Sequence, residues 1–191
     1  MTWQERFASY TAKTGYPLAM SLGEGGRVQG IWVMGNNYHA TSAIYGSYPH
    51  GYLARVRALF PEKQRVLHLF SGDVDLVVLP GDTVDLRGAA CNPTYVDDAQ
   101  TLALVPLEKY DLVCADPPYS IEDAEHYGPA MVKRNKVMDA LGQRLTAGTH
   151  VVWLDQVLPM YRKVDFDVEG WIGMVKSTNH RFRVITIFRK L

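Results

Sequence analysis

The chain has 191 residues, 47% hydrophobic and 21% charged, and its acids and bases cancel to a formal net charge of zero. That is enough chain for one domain with a sizeable core, and the composition is that of a globular protein rather than a disordered or fibrous one. No apolar run approaches the ~20 residues of a membrane span. Met1-Thr2-Trp3-Gln4-Glu5-Arg6 lacks the basic-then-apolar layout of a secretion signal. Cys91 and Cys114 have no metal-ligand spacing, so no metal and a reducing, cytoplasmic setting are the expectation.

Residues 1–26 are weakly patterned and read as an N-terminal extension. Residues 27–34 read as a strand, and a turn-rich stretch follows. Tyr52 to Phe60 places Leu53, Val56, Leu59 and Phe60 at helical spacing, closed by Pro61. Residues 65–70 form a strong strand ending in Ser71-Gly72. Residues 75–79 suit a strand or a turn, Pro80-Gly81 breaks the pattern, and 83–86 resumes as a strand tip. Residues 95–105 suggest a short helix and 110–115 a buried strand. Val132, Val137, Met138, Leu141 and Leu145 make an apolar stripe, predicting a helix over 122–145 that stops at Gly148. Residues 150–155 form another strand, and 170–175 with 182–188 an antiparallel hairpin. Strand-helix alternation ending in a hairpin predicts a doubly wound α/β sheet, mostly parallel, in a single domain spanning 1–191.

Bases cluster in two places. Lys133, Arg134 and Lys136 form one group, and Lys176, Arg181, Arg183, Arg189 and Lys190 the other, with no acid between Trp171 and Leu191. Such clusters suit a solvated face or, flanking one cleft, phosphate contacts.

The most informative segment is Asp116-Pro117-Pro118-Tyr119, just past the 110–115 strand. In an open α/β sheet ligands bind at that edge. A carboxylate and a carbonyl accepting both N–H bonds of a ring-attached amine would aim its lone pair at a methyl donor. Two prolines fix φ along such a loop, and the tyrosine offers a face for a flat base. Pro-Pro after a strand is also ordinary loop punctuation. Phe70-Ser71-Gly72 ends a strand where backbone can approach a ligand. Asp85, at the next strand tip, suits a ribose acceptor or a turn. Asp98, with Ala99 beside it, suits an adenine-amine acceptor or a turn. Neither Gly-x-Gly-x-x-Gly nor a Walker-type loop is present, which disfavours NAD and ATP.

These segments resemble the class I S-adenosylmethionine-dependent amino-methyltransferases, typified by DNA adenine-N6 methyltransferases. Asp116-Pro117-Pro118-Tyr119 is similar to that group's catalytic motif, and Leu69-Phe70-Ser71-Gly72 to its Phe-x-Gly-x-Gly motif. More narrowly, residues 66–72, 115–128 and 177–181 resemble a small methyltransferase family of bacteria, archaea and phages, and the likeness covers residues 27–190. The second glycine of the donor motif is replaced by Val74. No stretch is long enough for a separate target-recognition domain.

The resemblance implies a Rossmann-like methyltransferase fold with its catalytic part in residues 27–191, and S-adenosylmethionine as cofactor with S-adenosylhomocysteine as product. It implies Tyr48, Phe70, Ser71, Gly72, Asp85, Asp98 and Ala99 at the donor. Asp116, Pro117, Pro118 and Tyr119 would be catalytic, and Asn179, His180 and Arg181, with Tyr119, would face the acceptor. The acceptor expectation is adenine N6 in nucleic acid, DNA ahead of RNA, with single strands favoured and a protein partner available for recognition. Guanine N2, cytosine N4 or a protein glutamine fits the same motif. A catalytically silent donor-binding or nucleic-acid-binding subunit is the alternative of another class.

Overall fold

The computed structural model describes residues 1–35, 48–119, 131–177 and 182–191. Among these residues the strands are β1 (Met20–Leu22), β2 (Val28–Met34), β3 (Val66–Leu69), β4 (Asp82–Asp85), β5 (Tyr95–Val96), β6 (Leu112–Ala115), β7 (His150–Asp155), β8 (Phe166–Lys176) and β9 (Phe182–Lys190). The helices are α1 (Trp3–Thr14), α2 (Tyr52–Leu59), the single turn α3 (Gly88–Cys91) and α4 (Arg134–Arg144).

The strands form one sheet in the order β1-β2-β8-β9-β7-β6-β3-β4-β5. β3 pairs in parallel with β4 on one side and β6 on the other, and β6-β7 and β4-β5 are parallel as well. β9 inserts antiparallel between β7 and β8. This is the expected doubly wound, mostly parallel sheet with a C-terminal hairpin. β2 extends it in parallel beyond β8, and β1 closes that edge antiparallel.

β3, β6 and β7 are buried along their whole length, and strands covered on both faces read as unbroken apolar runs. Helices lie on both faces. Under α1 and α2, Trp32, Met34, Tyr52, Leu154 and Ile185 share one core. Under α4, Leu67, Val113, Trp153, Val137 and Leu141 share the other. Each large side chain so buried contributes about 1.5–3 kcal/mol.

Residues 1–26 contribute α1 and β1. Thr2 and Glu5 form a capping box at the start of α1, and Gly15, at φ 67°, ends the helix. Arg6 then reaches from α1 to the Leu59 carbonyl at 2.9 Å and the Glu62 carboxylate at 2.5 Å, fastening α1 to α2.

Of the two alternatives for residues 75–79, the structure takes the turn, and 97–105 differ from expectation, forming turns rather than a helix. The Asp98 carboxylate accepts from Gln100 N–H at 2.9 Å and Asp97 from Leu104 N–H at 2.8 Å, so side chains take the donors a helix would use. Leu102, at φ 50°, breaks any helical run. Of the predicted 122–145 helix, the structure shows Arg134–Arg144; residues 131–133 are not helical, and 120–130 lie outside the described residues. Among the described residues no helix is long and apolar enough to cross a membrane.

Gly170 lies opposite Val28, and a Cβ there would meet the Val28 carbonyl oxygen at 2.5 Å. Gly170→Ala should therefore push β2 away from β8 and cost about 1–3 kcal/mol in urea unfolding.

Candidate active site

The strand order reverses about β3, whose sequence neighbour β4 lies on one side and later strand β6 on the other. Leu69 is level with both Val84 and Ala115, so Phe70, Asp85 and Asp116 leave the sheet side by side at its carboxyl edge. A crevice outside the carboxyl ends at such a reversal is where open α/β sheets take ligands.

On the β3 side the chain makes a tight turn. Phe70 has φ 57° and Gly72 φ 51°. A bulky residue in the left-handed region is strained and must be held by its surroundings. Ser71 N–H donates to the Val84 carbonyl at 3.1 Å, and Gly72 N–H to Asp85 Oδ2 at 3.0 Å. Asp85 is buried and also accepts from Arg87 N–H at 2.9 Å, Nε at 3.0 Å and Nη2 at 3.0 Å. Burial raises its pKa, but the Arg87 and Gly72 donors outweigh that and hold the carboxyl below its ordinary value. Asp98 is occupied with Gln100, and Ala99 is buried in the core under α4.

On the β6 side, Asp116 begins the loop, Pro117 and Pro118 are buried, and the Tyr119 hydroxyl donates to Asp116 Oδ1. Burial first, then the Asp116 charge, lifts the Tyr119 pKa well above its usual value, so the phenol stays protonated. The Arg183 guanidinium lies 4.3 Å from the centre of the Tyr119 ring. Beneath the loop, Asp155 ends β7 fully buried. It accepts from Arg134 Nε at 2.6 Å and Nη2 at 3.0 Å, from Trp153 Nε1 at 3.0 Å, and from Gln156 N–H at 2.7 Å. Arg134 Nη2 also reaches the Pro118 carbonyl at 3.5 Å. An ion pair thus joins the start of α4, the end of β7 and the diproline loop.

The wall opposite is aromatic. Tyr48 stacks on Tyr52 with centroids 5.3 Å apart, and meets His68 edge-on at 6.0 Å. Both tyrosine hydroxyls are buried without a hydrogen-bond partner among the described residues. Burial, then the Cys114 thiol, raises both phenol pKa values, with Asp116 adding to each. His68 Nε2–H donates to the Leu79 carbonyl at 3.0 Å, and burial pushes this imidazole down to about 4. Burial likewise lifts the Cys114 thiol to about 12, so it is an inert core group.

Of the residues singled out in the sequence, Phe70, Ser71, Gly72 and Asp85 form one hydrogen-bonded turn, and Asp116 with Tyr119 another. Tyr48 closes the wall beside His68. Asp98 and Ala99 lie past the end of β5, one strand further out. Asn179, His180 and Arg181 lie outside the described residues. The sequence reading passed over Tyr52, His68 and Asp155, and named Arg183 only as one of a cluster of bases. Of the first three, only Asp155 carried a signal, as an acid ending a buried strand at the ligand-bearing edge. Arg134, grouped there with phosphate-facing bases, is held by Asp155 instead.

No protein-family model matches the chain, and no curated protein matches its sequence. Among solved structures, the chain is similar to the N-methyltransferase NodS from Bradyrhizobium japonicum WM9 in complex with S-adenosyl-L-homocysteine. The TM-score is 0.50 at 12% identity, over 74% of this chain and 85% of that one. TrmN from Thermus thermophilus aligns over 97% of this chain and 78% of its own, at 14% identity and a TM-score of 0.46, too low to establish a shared fold. The likeness to NodS is one of fold.

Arg134→Met would leave the Asp155 carboxylate buried and unpaired, and should cost about 3–5 kcal/mol in urea unfolding. Arg134→Met combined with Asp155→Asn should recover much of the loss, because the stranded charge is gone.

His68 gives a pH signature. Its pKa falls from 6.5 in the unfolded chain to about 4 in the folded one. Above pH 6.5 both states are neutral and nothing is lost; below it the unfolded chain takes up the proton first, so stability falls as pH drops toward 4. Between pH 7 and pH 4.5, wild type should lose roughly 2–3 kcal/mol more than His68→Gln, measured by urea unfolding at each pH.

Proposed function

We propose that the protein transfers the methyl group of S-adenosylmethionine to an exocyclic amine of a nucleic-acid base, adenine N6 first, as a single-domain enzyme. The observation that carries this reading is the position of Asp116-Pro117-Pro118-Tyr119. The tetrapeptide leaves β6 level with the strained Phe70–Gly72 turn, at the sheet's switch point. Strain of that kind persists where a site depends on it. The residues fit the donor: a turn that brings backbone into the crevice, an acid at the next strand tip, and the unpartnered Tyr48 hydroxyl beside it.

The donor supplies an electrophilic methyl on a sulfonium with a thioether leaving group, so the protein's work is alignment and electrostatics. Asp116 and the Pro117 carbonyl accept the amine N–H bonds and turn the lone pair toward the methyl. The buried prolines and the Arg134–Asp155 pair fix that loop before substrate arrives. Tyr119 gives the base one ring face, because Arg183 covers the other. Phe70, Ser71, Gly72 and Tyr48 line the methionine end, and Asp98 and Ala99 the adenine end. Asp85 has four lone-pair sites and four N–H donors already on them. To take ribose hydroxyls it exchanges the Arg87 side-chain donors and keeps the Gly72 N–H. Asn179, His180 and Arg181 are proposed at the acceptor mouth, with single strands preferred and a protein partner supplying sequence recognition.

A second reading has one observation in its favour. An Asp85 saturated from within suits a nucleic-acid-binding subunit that does not turn over. Tritiated S-adenosylmethionine incubated with DNA, RNA and peptide, followed by nucleoside analysis, separates the two and identifies the acceptor.

Asp116 acts on the amine and not on the donor. Asp116→Ala should therefore lower turnover about 100- to 1000-fold, the loss seen when one aligned charge-stabilising contact goes. Donor affinity by calorimetry should stay within about threefold of wild type. Near-normal turnover in this variant would sink the amine-methylation mechanism.

A further inference from the structure

Arginines in this protein find acceptors. Arg6, Arg55, Arg87, Arg134, Arg144 and Arg189 each donate to a carbonyl or a carboxylate. Among the described residues Arg183 is the exception. It is partly buried, its Nε is fully enclosed without a hydrogen-bond partner, and among the described residues it has no ion pair. Its guanidinium lies over the face of the Tyr119 ring, at 4.3 Å.

The position is not peripheral. Val184 is level with Asp155 and Arg183 with Met174, so Arg183 stands at the carboxyl edge of β6 and β7. Ile185, two residues on, points into the core that holds Tyr52, so Arg183 faces that side. Burial raises the Tyr52 pKa and the Arg183 charge partly opposes that rise; the buried Tyr52 hydroxyl has no hydrogen-bond partner among the described residues. The guanidinium therefore stands over the Tyr119 ring, beside the Asp116 loop, on the face of the sheet that holds Tyr52.

Stacking uses the guanidinium's face and leaves its in-plane N–H edge unspent, the geometry with which arginine grips a carboxylate or phosphate. An enclosed Nε–H with no acceptor is costly, and among the described residues the Arg183 charge has no ion pair. That charge would also oppose positive charge developing on a methylated amine at Asp116. A bound anion removes both costs.

We propose that Arg183 is an oxyanion-binding residue of this site, closed over by a substrate carboxylate or phosphate. On the methyl-transfer reading, on which only the source depends, the oxyanion is the carboxylate of the donor or a phosphate of the acceptor strand.

The experiment follows the arginine Nε–H signals of the wild-type protein by NMR, with Arg183→Gln locating the Arg183 signal. Titration is with sodium phosphate, S-adenosylhomocysteine and a short single-stranded oligonucleotide in turn. The Arg183 signal should shift with phosphate alone, whether or not the protein proves to be a methyltransferase. If the donor's carboxylate is the partner, Arg183→Gln should weaken S-adenosylhomocysteine about 10- to 100-fold in calorimetry, with oligonucleotide affinity unchanged. If a strand phosphate is the partner, the same variant should weaken the oligonucleotide by a like factor and reduce the slope of log affinity against log salt by about 1. Arg183→Lys should keep part of either affinity, having the charge without the fork. An Arg183 signal unmoved by all three ligands, with both affinities unchanged in Arg183→Gln, overturns the proposal and leaves methyl transfer by Asp116 standing.

Discussion

Parallel pairing of β3 with both β4 and β6 is the constraint on which the rest of the molecule depends. Strands with neighbours on both sides satisfy their backbone polar groups along their length and lose that satisfaction together at the carboxyl edge. Because Leu69, Val84 and Ala115 are level, the three chains leave the sheet at one height and must turn there. The turns are made differently. After β3 the backbone doubles into the left-handed region at Phe70 and Gly72, while after β6 two prolines carry it away extended. A mobile loop would suit neither strand, since each turn forms one wall of the same crevice.

What holds these walls is a set of internal acceptors at strand tips. Asp85 ends β4 and fastens the Gly72 backbone; Asp155 ends β7 and, through Arg134, fastens the Pro118 carbonyl. Burying such carboxylates costs several kcal/mol each, and a well-packed apolar pair often does as well for stability alone. Their contribution here is positional: each carries directed hydrogen bonds to backbone that a leucine could not replace. The acids that look catalytic on paper therefore divide by geometry. Asp85 and Asp155 spend their lone pairs on the fold, whereas Asp116 accepts from the Tyr119 phenol at the start of the diproline loop.

Much of this frame was legible in the sequence because it is written in apolar runs. β3, β6 and β7 are buried on both faces, so their residues are continuously hydrophobic, and the hairpin of β8 and β9 announces itself by alternation. The catalytic-looking tetrapeptide was legible because proline chemistry is local. Other parts depended on partners far along the chain. Asp85 could be placed at a strand tip, but not that Arg87 folds back onto both its oxygens. Residues 97–105 carry helix-compatible side chains, yet Asp97 and Asp98 capture the backbone donors first. α1 was missed although Thr2 and Glu5 spell a capping box, because its buried side includes Arg6, which reads as exposed until Leu59 and Glu62 come within reach.

The N-terminal residues bear on the site through packing. Tyr48 stacks on Tyr52, Tyr52 meets Trp32 at 6.3 Å, and Trp32 stacks on Tyr10 of α1 at 5.9 Å. This column runs from the crevice to the outermost helix, and Arg55 closes it by lying 5.4 Å from the Trp32 ring while donating to the Val33 carbonyl. Aromatic contacts of this kind contribute about 0.5–1.5 kcal/mol each beyond their buried area. Their larger consequence is that Tyr52 is held in place on both sides, fully buried behind Tyr48. A strand and a helix added outside the β8 edge thus act as backing for the wall. In so small a protein the same residues that complete the core also set the shape of the space in which chemistry takes place.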